Sequence, residues 1–268
     1  MGKTAIYWHE DGTVSKSNPL CRRMPISYVP AILGYPSYYT EFEVWCKLSE
    51  ICPKKPQTSS MKAGINSEPK IRKYIQSKYQ PLQMVYPGYG YDYYGDNTFT
   101  GYWDALFIDP DAFMSSIPII TKQYDQENNT IINYAAFKMS DCALKSVVEI
   151  KTTKAKNREK VSTSGPAKDH LVQACIYAYL LNIEDVIISY TFLTEEEISK
   201  EIVDKVNEEN TIIFEFKISD YFDDFDKEVI VPARKWYKEH LTISPKFDEE
   251  ADGWILDYLR TNKRFIAK

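Results

Sequence analysis

The sequence lacks the features that define several protein classes. Its five cysteines are scattered, and no two of them form a Cys-x-x-Cys pair. This pattern argues against a disulfide framework or a structural zinc site, and it favours reduced thiols in a cytoplasmic protein. The first residues have no apolar stretch, so we expect no secretory signal peptide. Polar and acidic residues interrupt the most apolar window, residues 171–190, so we expect no membrane span.

The chain also lacks an excess of positive charge. Lysine and arginine total 33 against 38 acidic residues, a net charge of −5. This balance excludes a protein that coats nucleic acid through bulk charge alone. The positive charge is nevertheless concentrated in Lys54–Lys78 and Lys145–Lys168, while acid dominates Glu184–Asp226. No internal repeat or low-complexity linker is present, so we expect a single domain over residues 1–268.

The hydrophobic pattern predicts alternating helices and strands, and therefore an α/β protein. We expect helices at residues 27–34 (with Ser27 as the N-cap), 40–51, 61–79 (starting or bending at Pro69), 166–181, 195–208, 226–240 and 248–261. We expect strands and tight turns within 84–108, a hairpin at 117–137, strands at 146–153, 186–193 and 211–218, and a basic loop at 157–169.

The strand at residues 146–153 carries an acid and a lysine two residues apart. Side chains alternate along a strand, so Glu149 and Lys151 share one face while Val148 and Ile150 face a core. A carboxylate beside an ammonium group suits a scissile phosphate, because the first can act through a metal ion and the second can position water. The tripeptide alone is equally compatible with a surface ion pair.

Three further polar residues strengthen the catalytic interpretation. Asp104 interrupts an apolar strand, where a carboxylate is costly unless it is paired or binds a metal. Gln173 and Tyr177 are four residues apart on a predicted helix and share a face. Glu68 supplies one more carboxylate. A divalent cation with hard oxygen ligands suits two or three carboxylates, here from Glu68, Asp104 and Glu149, together with a substrate phosphate, and two such ions suit a phosphodiester displacement. The alternatives are a first-turn helix acid for Glu68 and a turn acid for Asp104.

These motifs, in this order, resemble those of a nuclease family. Asp104, Glu149-Ile150-Lys151 and Gln173-x-x-x-Tyr177 resemble the RecB-like branch of the PD-(D/E)xK superfamily. Residues 26–45 and Gly64-x-x-x-Glu68-Pro69 narrow the resemblance to YqaJ-type viral recombinase nucleases, which include the lambda-type exonucleases. The similarity covers about residues 20–193 and leaves 194–268 as a C-terminal α/β extension. It implies a restriction-endonuclease-like core, with a mixed central β-sheet flanked by helices.

The resemblance also implies an activity and a set of residue roles. The activity is metal-dependent hydrolysis of DNA, 5′→3′ on linear duplex in the lambda-type members, in recombination or phage-type DNA processing. The implied ligands of Mg²⁺, for which Mn²⁺ can substitute, are Glu68, Asp104, Glu149 and the carbonyl of Ile150. Lys151 would orient or activate the attacking water, and Gln173 would support that water or Lys151. Tyr177 would brace its helix or contact a phosphate. Ser27, with Arg22 or Arg23, would bind a terminal 5′-phosphate.

Further expectations concern partners and alternatives. The family implies a single-strand annealing protein as a partner and a homotrimer, and the basic segments would contact the DNA backbone. We expect no iron–sulfur cluster, because no cysteine follows Cys175, and no catalytic role for His170. The alternative functions are a site-specific restriction endonuclease on the same fold and a non-catalytic DNA-binding protein.

Overall fold

The fold is described from a computed structural model that covers residues 5–20, 22–85, 96–111, 118–125, 130–137, 143–262 and 265–267. The strands are β1 Ala5–Trp8, β2 Val14–Lys16, β3 Met24–Pro25, β4 Gln83–Val85, β5 Phe99–Thr100, β6 Ala105–Ile108, β7 Pro118–Asp125, β8 Thr130–Phe137, β9 Leu144–Lys154, β10 Asp185–Leu193, β11 Thr211–Lys217 and β12 Ile266–Ala267. The α-helices are α1 Val29–Ile32, α2 Glu41–Leu48, α3 Ser59–Lys78, α4 Arg158–Ser164, α5 Lys168–Leu180, α6 Glu195–Ser199, α7 Val231–Glu239 and α8 Gly253–Thr261. Shorter helical turns occupy Ile26–Tyr28, Ala155–Asn157, Ile218–Asp220 and Asp226–Ile230.

A five-stranded mixed sheet forms the centre, in the order β11-β10-β9-β6-β4. Strand β9 runs parallel to β10 and antiparallel to β6, and the two outer pairs are antiparallel. The parallel pair requires a crossover, which the chain makes through α4 and α5. The predicted mixed central sheet is therefore confirmed.

Helices cover both faces of this sheet. On one face, Phe107, Val148 and Ile187 pack against Ile71 and Ile75 of α3. On the other face, the buried strand residues pack against α5; they include Leu106, Val147 and Ile188, with Leu171, Val172 and Cys175 from the helix. Successive strand residues alternate between the two cores, as the pleat requires. Among the described residues, no helix combines the length and the apolarity needed to cross a membrane.

The two ends of the chain pack together beside the central sheet. Strand β1 pairs with β2 and, in parallel, with β12. The Ser244 backbone N–H donates to the Val14 carbonyl, and the Ser244 hydroxyl accepts from the Val14 N–H at 2.8 Å. The indole N–H of Trp45 in α2 donates to the His240 carbonyl at 2.9 Å. The C-terminal extension is thereby joined to the first fifty residues.

Some sequence predictions of secondary structure are confirmed. The hairpin predicted within residues 117–137 has its two strands, β7 and β8, paired antiparallel. The turn predicted at 125–129 lies almost wholly outside the described residues. Helix α2 begins after Thr40, whose side chain accepts from the Glu43 N–H. Helix α3 continues through Pro69 and begins well before it. Residues 86–95, where the sequence predicts tight turns, lie outside the described residues.

Others are wrong. Ser27 does not cap a helix: it is exposed within the turn Ile26–Tyr28, and α1 begins at Val29 without a side-chain cap. The predicted basic loop at 157–169 contains helix α4, which ends at Gly165 with a φ of 73°. The predicted helix at 195–208 ends at Ser199. Beyond it the chain turns, and the Asp204 N–H donates to the Glu197 carboxylate. Asp248 accepts from two following N–H groups in a turn, so α8 begins only at Gly253.

Candidate active site

Glu149 and Lys151 lie on the face of β9 that α5 covers. Their neighbours Val147 and Val148 are fully buried on opposite sides of the strand, so the alternation predicted from sequence holds. Glu149 is 1% exposed, and its Oε1 lies 2.6 Å from Nζ of Lys151. The pair is therefore a buried ion pair, which contradicts the surface-pair alternative.

Helix α5 brings Gln173 onto this pair. The Gln173 amide Nε2 donates to Glu149 Oε1 at 2.9 Å, and its Oε1 accepts from Lys151 Nζ at 3.2 Å. The three side chains thus form a closed set of hydrogen bonds between a strand and its crossover helix. Such a set fixes the direction of the ammonium group, because Lys151 Nζ contacts both Glu149 on its own strand and Gln173 on the helix.

Asp104 lies at the start of β6, across the ladder from Glu149. Ala105 pairs with Val148, so the preceding residue lies next to Glu149 in this antiparallel register. The Asp104 carboxylate accepts a hydrogen bond of 2.6 Å from the Ile150 N–H. The structure therefore joins Asp104 to the Ile150 amide, and the role of the Ile150 carbonyl as a ligand stays a prediction.

Glu68 reaches the same cluster from α3, but its carboxylate pairs with Arg72 one turn further along the helix. The Arg72 Nε also donates to the Asp104 carbonyl at 3.1 Å. Arg72 therefore links the two acids, and the sequence reasoning missed it. The sequence spacing could have predicted this contact, because an acid and an arginine four residues apart on a helix lie close enough to form an ion pair.

The three acids perturb one another. Burial, followed by the nearby Asp104 charge, raises the pKa of Glu149 to about 8 against the lowering effect of Lys151. Burial also raises the pKa of Asp104, and burial together with Asp104 raises that of Glu68. Burial acts to lower the pKa of Lys151, but Glu149 and Asp104 outweigh it and keep the ammonium charged. Crowding of the three carboxyl groups in a buried site therefore makes it costly for all of them to be ionised at once.

The donor set suits a hard divalent cation. Glu149 Oε2 is buried without a hydrogen-bond partner, a costly state that a cation would relieve. Carboxylate oxygens are the ligands that magnesium prefers. Within the described part of the chain, however, no three His, Cys, Asp or Glu side chains already form a metal cage. At this site the Glu68 carboxylate is paired with Arg72.

Glycines at two positions allow the close packing that builds the site. A Cβ on Gly64 of α3 would lie 2.7 Å from the Thr152 hydroxyl of β9, so a larger residue would require that side chain to move. A Cβ on Gly101 would lie 2.9 Å from the Tyr177 hydroxyl. Tyr177 is 3% exposed and packs in the core, which favours the bracing role over a phosphate contact.

His170 lies one turn before Gln173 and faces inward. Its Nδ1 is 2.8 Å from the hydroxyl of Tyr190, which also accepts from the Ala167 N–H. Burial, and then the Lys151 charge, lower the pKa of His170 to about 4, so it is neutral at physiological pH. This neutral imidazole fastens the first turn of α5 to β10.

Arg22 and Arg23 lie apart from this cluster, in the wall of a separate basic pocket. This basic pocket has a volume of about 260 Å³ and is lined by Arg22, Arg23, Pro25, Tyr28, Lys47, Leu48 and Thr100. Arg22 pairs with Glu50, and Lys47 pairs with Glu43 at 3.6 Å. Ser27, predicted as a phosphate ligand, is not among the lining residues. Lys47 and Thr100 were missed, because they join the pocket only through tertiary packing.

The two basic segments carry less free positive charge than the sequence suggests. Seven of their cations form ion pairs with acids: Lys55 with Glu43, Lys62 with Glu201, Arg72 with Glu68, Lys78 with Glu208, Lys145 with Asp109, Lys151 with Glu149 and Lys154 with Glu195. Most of these pairs are exposed, and such pairs are weak and screened by salt. They can therefore exchange partners with phosphates.

The fold is similar to that of solved exonucleases. The crystal structure of LHK-Exo in complex with dAMP has a TM-score of 0.51 at 12% identity, covering 89% of this chain and 92% of that one. Another structure of LHK-Exo, an alkaline exonuclease from Laribacter hongkongensis, gives 0.48 at 11% identity, with coverage of 81% and 89%. A phage related exonuclease from Haemophilus somnus 129PT gives 0.44 at 13%, with coverage of 81% and 94%.

The sequence itself gives no comparable match. No protein-family model matches this chain, and no curated protein matches it. The likeness therefore concerns the fold: a mixed central sheet flanked by helices, shared with LHK-Exo over most of both chains.

Proposed function

We propose that this protein is a metal-dependent DNA exonuclease of the PD-(D/E)xK type. The observation that carries the proposal is the buried cluster in which Glu149, Lys151 and Gln173 bond one another beside Asp104. Buried charges at this density are costly for stability. Their retention favours a catalytic role over a non-catalytic DNA-binding protein.

In this proposal Asp104 and Glu149 hold Mg²⁺ or Mn²⁺, with the Ile150 carbonyl and with Glu68 once it leaves Arg72. A divalent metal held there would supply Lewis-acid stabilisation of the charge on the scissile phosphate. Lys151, held by Glu149 and Gln173, presents its ammonium to the attacking water and the developing negative charge. Gln173 fixes that ammonium, and Tyr177 holds α5 in place against Gly101.

The substrate end of the proposal rests on the basic pocket. Arginine and lysine side chains suit a phosphate monoester, because charge-assisted hydrogen bonds to its oxygens are the strong ones. We therefore propose that Arg22 and Arg23 bind the 5′-phosphate of a DNA strand, with Lys47 and Thr100 beside them. LHK-Exo, whose fold is similar, was crystallised with dAMP, which supports a deoxynucleotide substrate.

Other parts of the proposal rest on the sequence resemblance alone. They are membership of the YqaJ-type group, 5′→3′ digestion of linear duplex, a place in recombination or phage-type DNA processing and a cytoplasmic location. A homotrimer and a single-strand annealing protein as partner belong to the same set.

Cleavage of two DNA topologies tests the proposal. The protein is incubated with Mg²⁺, or with EDTA, on linear duplex bearing 5′-phosphates and on closed circular plasmid. We expect loss of the linear duplex alone, and only with the metal. Discrete fragments from the circle would indicate a restriction endonuclease instead. Intact DNA in every tube would refute the enzyme.

A further inference from the structure

Helix α7 of the C-terminal extension lies behind the basic pocket and contacts its first wall. The Tyr237 hydroxyl donates to the Arg22 carbonyl at 2.9 Å, across 215 residues of sequence. This bond holds the backbone that carries Arg22 and Arg23. The contact is to a main-chain oxygen, so it sets the position of the segment and leaves both guanidinium groups to other partners.

The same helix holds the second wall through Asp96. Arg234 Nη2 donates to Asp96 Oδ2 at 2.7 Å. The other carboxylate oxygen accepts from the Thr98 N–H at 2.6 Å and the Phe99 N–H at 2.8 Å, which fixes the turn leading into Thr100. The Asp96 carbonyl in turn accepts from Arg23 Nη1 at 3.2 Å. One residue, Asp96, therefore couples Arg234 to Arg23 through its main-chain carbonyl and to the Thr100 strand through its carboxylate.

The third wall is α2, which carries Lys47 and Leu48. The indole N–H of Trp236 in α7 donates to Glu41 Oε2 at 3.1 Å, and Trp45 bonds the carbonyl of His240, just after α7. Helix α7 therefore contacts all three segments that form the pocket: the Arg22 segment, the turn at Asp96 and helix α2. Ala233 and Trp236 are the buried residues of that helix, while Arg234 remains 39% exposed. The Arg234 guanidinium also lies 5.8 Å from the ring centre of the buried Phe99, on the strand that carries Thr100.

We infer that Arg234 and Tyr237 are positioning residues for the basic pocket: they place Arg22, Arg23 and Thr100 so that the pocket binds a 5′-terminal phosphate. The inference rests on the proposed function for the identity of the ligand. It also gives the C-terminal extension a task that the sequence motifs do not assign.

Binding of DNA in EDTA tests this inference without turnover. A duplex labelled at its 3′ end with fluorescein, carrying either a 5′-phosphate or a 5′-hydroxyl, is titrated with protein and followed by fluorescence anisotropy. We expect wild type to prefer the 5′-phosphate by about tenfold, the effect of one charge-assisted contact. Arg234→Gln should lose most of that preference, Arg234→Lys should regain part of it, and Tyr237→Phe should lose a smaller part.

Arg260→Gln is the matched control, because Arg260 forms a similar exposed pair with Glu249, at 2.9 Å, on α8. It should keep the full preference. The ratio is taken within one preparation, so a fraction of unfolded protein cancels. A wild-type ratio in Arg234→Gln, or no preference in wild type, would overturn the inference. Loss of cleavage with an intact binding preference would refute only the proposed enzyme.

Discussion

The buried cluster of Asp104, Glu149, Lys151 and Gln173, proposed as the active site, and the basic pocket are assembled in opposite ways. The cluster uses neighbouring strands and the helix between two of them, so its hydrogen bonds span 22, 24 and 46 residues of sequence. The bonds that frame the basic pocket span 73, 138 and 215 residues. The register of the central sheet positions the residues of the first region. Packing of the C-terminal helix α7 against Arg22 and Asp96 positions those of the second.

The two regions also differ in burial, which predicts different responses to mutation. Glu149 is enclosed and lacks a partner for one oxygen, whereas Arg22 and Glu50 pair at the surface. An enclosed charge set acts as a unit, so removing one member should remove catalysis. Each exposed contact to a phosphate would add a small and separate contribution to the binding free energy, so loss of one should weaken binding by a limited factor.

Lys151→Ala should have the largest effect of any change discussed here. Without the ammonium, the cluster loses the group proposed to orient the attacking water and to stabilise the developing negative charge. We expect kcat to fall by about 1000-fold, the upper range for loss of a preorganised donor. The dissociation constant for duplex DNA should change little, because the binding contacts lie in the other region. Single-turnover cleavage and anisotropy in EDTA measure the two quantities separately.

Lys154→Ala is the control for this change. Lys154 lies on the same strand, but its ammonium pairs with Glu195 at the surface, 3.0 Å away. We expect kcat within about twofold of wild type, as for most surface substitutions. Unchanged cleavage by Lys151→Ala would show that the active site is elsewhere.

The contrast also explains what the sequence could predict. Glu149 and Lys151 share a face through strand alternation alone, and the crossover helix had to return over that face with Gln173. The pairing of Arg234 with Asp96 has no local signature, because its partners are 138 residues apart. Ser27 was placed wrongly for a related reason: a serine before an apolar stretch suggests an N-cap, but the preceding turn leaves it exposed.

Arg23→Gln should have the second-largest effect, and it should fall on binding. The guanidinium would no longer meet the terminal phosphate, so we expect KM for 5′-phosphorylated duplex to rise by about tenfold. We expect kcat to stay within about twofold of wild type, as the cluster is untouched. Steady-state kinetics on both 5′-phosphate and 5′-hydroxyl duplexes measure the split.

Lys200→Gln provides the comparison for Arg23→Gln. Lys200 forms exposed pairs with Glu196 and Asp204, at 2.8 and 3.5 Å, away from the basic pocket. Its kinetics should match wild type on both substrates. A fall in kcat with constant KM in Arg23→Gln would mean that the two regions do not divide binding from chemistry as proposed.

Gly101→Ala should give the smallest effect and should touch both regions at once. Gly101 follows Thr100 of the pocket wall and precedes Asp104 of the cluster by three residues. The new Cβ would lie 2.9 Å from the Tyr177 hydroxyl and 3.2 Å from a ring carbon. We expect unfolding free energy to fall by about 1–2 kcal/mol, as for overpacking, with a few-fold loss in kcat/KM.

Two further variants decide whether that contact is the cause. Tyr177→Phe removes the closest atom, so in the Gly101→Ala background it should restore part of the stability measured by urea unfolding. Gly253→Ala is the matched control, because no atom lies within 4 Å of its Cβ position and it sits in the first turn of α8. It should be neutral or slightly stabilising. A double variant no more stable than Gly101→Ala would mean that Tyr177 does not hold the link between the two regions.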